Sequence, residues 1–128
     1  QVLILGFVPS NEVKSLYEGS SGVIVPTYFG QTNLPPLEAW AAKVPLIYSR
    51  NFSEQAGDAA EFIDYDDSES IANAILNIKE RTRYDSLVKN GILRLNKIND
   101  ERKHAESIFF TKLKNFSKRL ALWKKLED

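Results

Sequence analysis

The residues with the most chemistry to offer lie between Pro26 and Ala42, in the run PTYFGQTNLPPLEAWAA. A strand-like segment leads into this run. Pro35 and Pro36 suit the first turn of a helix, because backbone N–H groups there have no intrahelical partner to lose. The free N–H groups at a helix start, together with the helix dipole, favour an anion such as phosphate. Gly30 permits close backbone approach, and Thr32 and Asn33 add hydroxyl and amide donors. Glu38, about one turn inside, can accept hydrogen bonds from two neighbouring hydroxyls at once, which is how a carboxylate holds a vicinal diol. The plainer structural reading is that Glu38 only complements the helix dipole.

The elements that must position this loop follow from hydrophobic patterning. Four short apolar runs, Val2–Leu5, Gly22–Val25, Pro45–Tyr48 and Glu61–Asp64, are nearly continuous in hydrophobicity, as strands covered on both faces are. Helical patterns alternate with them, so the fold class is α/β: a parallel sheet of about four strands with flanking helices. Ser10-Asn11-Glu12 offers a cap for a first helix, with Val13, Leu16 and Tyr17 on one face and an end near Gly19. The helix that carries Glu38 runs to about Lys43, and residues 49–58 read as a loop or short helix at the carboxyl edge of the sheet. Asp67, Ser68 and Glu69 put oxygen and negative charge at the start of a helix over residues 68–79, striped by Ile71, Ala74, Ile75 and Ile78. Another helix over 80–97 turns Leu87, Ile92 and Leu95 inward, with Gly91 weakening its middle by roughly 1 kcal/mol relative to alanine. From about Glu101, Ile108, Phe109, Leu113, Phe116, Leu120 and Trp123 recur at spacings close to three and four. They define a long C-terminal amphipathic helix.

Composition narrows the class. With 128 residues the chain has room for one core, and 43% hydrophobic residues is ordinary for a globular chain. Zero cysteine removes disulfides and thiolate chemistry, and fits a reducing compartment such as the cytoplasm. No run approaches the roughly 18–20 apolar residues of a membrane-spanning helix. Seventeen basic and seventeen acidic side chains cancel overall. Residues 1–99 hold nine basic against twelve acidic, a balance of −3, and residues 100–128 hold eight against five, a balance of +3. Such a balance gives no general polyanion-binding field over the main body, so no nucleic acid partner is expected. With no methionine, and Gln1 leading straight into an apolar run, the sequence reads as a fragment.

The stretch from Pro26 to Ala42 resembles the GT-B fold glycosyltransferases of the group 1, or family 4, type. Most members read proline, a few residues, then E-G-F-G-L-P-P-L-E-A; a bacterial polysaccharide subset reads close to P-T-Y-F-G-P-T-N-L-P-P-L-E-A. Leu5-Gly6-Phe7-Val8-Pro9, Leu16-Tyr17, Pro45 through Ser49, Glu54 and Gly57-Asp58-Ala59-Ala60 also fall where the family has comparable residues. The resemblance covers roughly residues 2–97. It implies a Rossmann-like donor-binding domain over residues 1–99, with the amphipathic helix of 100–128 packing on it. By the same resemblance Glu38 is the second glutamate of an E-x7-E motif and a ribose ligand. Asn33 and Leu34 lie where backbone amides meet the donor diphosphate, with Thr32 contributing a side chain, and Gly6, Phe7 and Val8 form the loop beside the nucleobase. Gly30 stands where the common motif has a glutamate that touches the donor sugar.

The implied activity is retaining, metal-independent transfer of a sugar from a nucleotide-diphosphate donor to a glycan or lipid-linked acceptor. Its implied setting is cell-surface polysaccharide synthesis at the cytoplasmic face of a membrane, with no cofactor beyond the donor. The family also has two earlier strands, carrying basic residues for the diphosphate, and an N-terminal acceptor domain. The isolated 128 residues are therefore expected to be inactive. The substitution at Gly30 keeps open a non-catalytic nucleotide-sugar-binding or regulatory module of degenerate transferase origin. A receiver domain is disfavoured, since Leu5-Gly6-Phe7 supplies no acidic residue.

Other polar residues carry less. Glu54 is either a solvent-exposed loop residue or a partner standing behind the donor loop. His104, among Arg102, Lys103 and Glu106, reads as solvated, and a lone histidine cannot build the usual metal sites. Asp64, Asp66 and Asp67 match no calcium-loop spacing. Lys112, Lys114, Lys118, Arg119, Lys124 and Lys125 have no acidic residue among them. They read as a solvated face or as a contact for an anionic membrane or another domain.

Overall fold

The computed structural model describes residues 2–30 and 34–124 of the chain. Three strands, β1 (Val23–Val25), β2 (Leu46–Ser49) and β3 (Glu61–Ile63), form a parallel sheet in the order β1-β2-β3. Ile24 faces Ile47, and Tyr48 faces Phe62, in the two ladders. β2 is the central strand and all four of its residues are buried. That is what the near-continuous hydrophobicity of a strand covered on both faces requires. Helices α1 (Ser10–Glu18), α2 (Leu34–Ala41), α3 (Ser53–Ala56), α4 (Ser68–Asn77) and α5 (Arg81–Lys124) alternate with the strands, and a 3₁₀ turn spans Arg50–Phe52. The chain divides into two compact units, Gln1–Leu95 and Asn96–Asp128, and α5 contributes to both.

The α/β class and the parallel sheet agree with the sequence, but the sheet has three strands rather than four. The run Val2–Leu5 pairs with nothing among the described residues and lies open to water, with Val2 90% and Ile4 95% exposed. Hydrophobicity states what a segment must bury and does not supply the neighbour that buries it. A lone extended run has no ladder to close its backbone hydrogen bonds. β1 is consequently an edge strand among the described residues.

Local chemistry explains the helix boundaries. α4 starts where expected, with the Asp67 carboxylate accepting from the Glu69 N–H at 2.9 Å. α1 departs from expectation. Pro9 is its N-cap and no side chain caps it, so Ser10 is helical; the Pro9 carbonyl accepts from Glu12 N–H at 2.8 Å instead. α2 ends in two reversed bonds, Val44 N–H to Ala39 carbonyl at 3.0 Å and Lys43 N–H to Trp40 carbonyl at 3.1 Å, with Lys43 at φ +60°. This is the Schellman arrangement with a lysine where glycine is usual.

The core joins Ile47 and Ile63 of the sheet to Ala74 and Ile78 of the α4 segment and Leu87 of α5, with Ile71 and Ile75 packed alongside. The stripe expected on α4 is therefore the buried one. The two helices expected over 80–97 and from 101 are one. After Pro45 and Gly91 the chain has no further proline or glycine to stop α5. Lys97–Glu101 and Arg102–Glu106 ion pairs also bridge the anticipated break.

In the second unit Ile108, Phe109, Phe110, Leu113 and Phe116 of α5 are exposed, Phe109 and Phe110 meeting at 5.7 Å between ring centres. His104 is exposed there as well.

Candidate functional site

α1 and α2 flank an open groove of about 270 Å³. Ser10, Val13, Lys14 and Tyr17 line it from α1, and Glu38, Ala41 and Ala42 from the α2 side. Helical spacing produces this: residues three and four apart share a face, so Val13 with Tyr17, and Glu38 with Ala41 and Ala42, look the same way. The two alanines leave space that larger residues would fill. Ligand pockets typically hold ~300–1,000 Å³, so the groove is at the small end of that range.

Glu38 is exposed, and its Oε2 accepts a hydrogen bond from the Tyr17 hydroxyl at 2.8 Å. Oε1 has no partner among the described residues. Tyr17 is half-buried, and burial, then the bond to Glu38 and that carboxylate's charge, push its pKa up from 10.0 to about 12. The phenol therefore stays protonated and remains a donor at any physiological pH. From the sequence Tyr17 is an apolar-face residue of a helix and part of the Leu16-Tyr17 pair that matches the family, with no role at the site. Its spacing of four from Val13 marks the face it shares, but nothing local marks its bond to a residue 21 positions away.

The other site residues are distributed as follows. Leu34 opens α2 and is exposed, its side chain outside the groove lining. Gly30 holds φ +151°, a conformation that side-chain-bearing residues rarely adopt. Thr32 and Asn33, with Gln31, lie outside the described residues. Phe7 and Val8 line a separate groove of about 420 Å³ with Leu5, Pro9, Glu12, Ser15 and Leu16. The two grooves share no lining residue. Gly6, at φ +66°, makes the turn that precedes them.

Glu54 is exposed, and it is its backbone carbonyl that is engaged. That carbonyl accepts from Arg94 Nη2 at 3.0 Å, and Gln55 carbonyl accepts from Arg94 Nε at 2.8 Å. Arg94 had no sequence signal beyond its place on a helix.

At the carboxyl ends of the strands two further contacts form that the sequence did not single out. Arg50 Nε lies 3.4 Å from Asp64 Oδ1, and the rings of Tyr28 and Tyr65 are 5.0 Å apart. Arg50 and Asp64 each follow directly on a strand, and the Ser49–Ile63 register sets them side by side. Among the described residues no group of three histidine, cysteine, aspartate or glutamate side chains could hold a metal ion.

With this geometry in view, the comparison with known proteins is specific. The family model described as "Glycosyl transferases group 1" matches residues 1–81. The chain belongs to the group 1 glycosyltransferases. Curated relatives agree with that placement. "O-antigen chain mannosyltransferase RfbU" of Salmonella typhimurium is 31% identical over 96 residues, 73% of this chain and 27% of the relative. "O-antigen chain mannosyltransferase B" of Escherichia coli is 32% identical over 74 residues, 56% of this chain and 19% of the relative. The chain thus matches about a quarter or less of the length of these relatives. The matched residues 1–81 include every residue that lines the Glu38 groove.

Proposed function

We propose that this chain is the donor-binding part of a retaining, GT-B type glycosyltransferase of the group 1 family. On this reading it moves a hexose from a nucleotide-diphosphate sugar to a glycan or lipid-linked acceptor in bacterial surface polysaccharide synthesis. The bond between the sugar's anomeric carbon and the diphosphate breaks, an acceptor hydroxyl oxygen bonds to that carbon, its proton departs, and nucleoside diphosphate leaves. Metal is not required in this scheme: protein donors hold the leaving diphosphate, and the gain comes from positioning and from stabilising its charge.

The observation that carries the reading is the accessible carboxylate of Glu38 on a groove wall one turn inside α2. A carboxylate with one oxygen unengaged can take both hydroxyls of a ribose diol. The resemblance supports Gly6, Phe7 and Val8 as the residues beside the base. The resemblance also supports a cytoplasmic site, and the basic run from Lys112 to Lys124 supports contact with an anionic membrane surface. No helix among the described residues is long and apolar enough to cross a membrane. Co-sedimentation with anionic but not neutral vesicles is the expected result, and equal recovery with both would remove the membrane contact.

A nucleotide panel followed by NMR tests donor binding, with wild type compared with Glu38→Ala. Ribonucleoside diphosphates shift the groove resonances of wild type, and the Glu38→Ala chain loses that response; an unchanged response would overturn the reading. Transfer itself is expected only from a longer protein, so the 128 residues bind without turnover.

Gly30 favours a second reading, a nucleotide-sugar-binding module without catalysis. Its φ of +151° is one that a glutamate rarely adopts. Binding without turnover by the longest folded protein would support it.

A further inference from the structure

We infer that Tyr17 is a positioning residue for Glu38, fixing one carboxylate oxygen by its hydroxyl so that the other is presented to a ribose diol in the groove between α1 and α2. This rests on the reading of Glu38 as the ribose ligand. The geometry is direct: the two side chains come from different helices, line the same groove and meet at 2.8 Å. An exposed glutamate on a helix otherwise samples several rotamers, and each must be frozen out when a diol binds. A phenol anchored on α1 reduces that freedom beforehand, since its own ring is half-buried and its hydroxyl bond holds one carboxylate oxygen in place.

The phenol also adds selectivity. It occupies lone-pair capacity on Oε2 and leaves Oε1 as the principal acceptor, whose two lone pairs can take both hydroxyls of a diol. A nucleotide without the 2′ and 3′ hydroxyls gains nothing from either residue. Tyr17 is therefore expected to affect the preference for ribose and not the affinity for the rest of the nucleotide.

The test uses the 128-residue chain and amide shifts by NMR, with ADP, GDP, UDP and CDP each titrated to about 10 mM, a range that captures weak binding. The best binder is then compared with its 2′,3′-dideoxy form in wild type, Tyr17→Phe, Glu38→Gln and Glu38→Ala. Tyr17→Phe keeps the ring and is expected to lower the ribo-over-dideoxy preference about threefold to tenfold, the scale of one net hydrogen bond, with dideoxy affinity unchanged. Glu38→Ala abolishes the preference, and Glu38→Gln, whose carbonyl can still accept from the phenol, retains part of it.

If Glu38→Ala loses the preference while Tyr17→Phe keeps it whole, the positioning role is wrong and the ribose reading stands. If Glu38→Ala keeps the preference, or no nucleotide shifts the groove, the ribose reading fails and this inference with it. An equal loss of ribo and dideoxy affinity in Tyr17→Phe, with a wild-type amide spectrum, would mean a merely structural tyrosine and would also overturn it.

Discussion

The indole of Trp40 stands where a side chain at position 91 would otherwise be: a β-carbon on Gly91 would lie 2.5 Å from Trp40 Cδ1 and 3.1 Å from its Cγ. Read as sequence, Gly91 is a weak point in a helix. In the fold it is the space that lets a buried tryptophan of α2 lie against α5. The ring cannot retreat, because its Nε1–H donates to the Ala59 carbonyl at 2.9 Å. Gly91→Ala would gain about 1 kcal/mol in helix propensity and lose about 1–3 kcal/mol to overpacking. Net destabilisation is expected, measured as a lower Tm by calorimetry. A smaller partner should relieve it, so Trp40→Phe and Gly91→Ala together should cost less than the sum of the two single changes. A Gly91→Ala chain more stable than wild type would show that the packing is loose.

Lys43 stores strain that can be released. It sits at φ +60° after α2, where an L-residue crowds its own carbonyl and glycine does not. Its side chain is exposed and outside the core, so Lys43→Gly changes the backbone term almost alone. A gain of about 0.5–1 kcal/mol is expected, a rise of a few degrees in Tm for a chain of this size. Lys43→Val, β-branched in a left-handed position, should lose stability by a comparable or larger amount.

The sequence made the local features legible and the remote ones not. Asp67 as a cap, the Ile71–Ile78 stripe and the proline start of α2 depend on neighbours within one or two turns. Pattern exposes such neighbours directly. Val2–Leu5 failed as a strand because pairing is decided elsewhere in the chain. Tyr17 escaped notice as part of the site because its partner lies 21 residues on, and Arg94 because its partners are backbone carbonyls, which have no sequence identity. Glu38 was found through the register of the whole loop. Its bond to Tyr17 depends on how α1 and α2 pack, which no local pattern carries.

Arg94 illustrates how the remote part is held. Its guanidinium donates to the carbonyls of Glu54 and Gln55, and Asn90, one turn earlier, donates to the Asp58 carbonyl at 3.0 Å. With the Trp40 bond to Ala59, α2 and α5 between them hold four carbonyls of the 54–59 segment, which has only the short α3 as regular structure. Arg94→Met keeps most of the stem and removes both donors, which should cost about 1.5–3 kcal/mol. Hydrogen exchange should accelerate first at amides of residues 54–60 while β2 stays protected. Uniform acceleration would mean that the segment unfolds only with the whole domain.

The Tyr17–Glu38 bond also carries a pH dependence whose sign is fixed by its direction. Tyr17 has its pKa raised from 10.0 to about 12 in the fold, first by burial and then by the hydrogen bond and charge of Glu38. The folded state thus holds the phenolic proton more tightly than the unfolded chain. The stabilisation is fully present below pH 10 and is lost as the pH rises towards 12. Phenolate absorbance should show Tyr17 ionising late, and Tyr17→Phe should remove that step. Tyr65 is also raised, by burial and then by the charge of Asp66, so a second late phenol is expected to survive the change and serves as the internal control. Glu38→Gln should bring the Tyr17 step down, because it removes the negative charge and keeps only a neutral acceptor. Denaturant midpoints between pH 10 and 12 should then fall less steeply in Tyr17→Phe than in wild type. Parallel slopes would mean that the phenol is solvated and the bond to Glu38 contributes nothing to the fold.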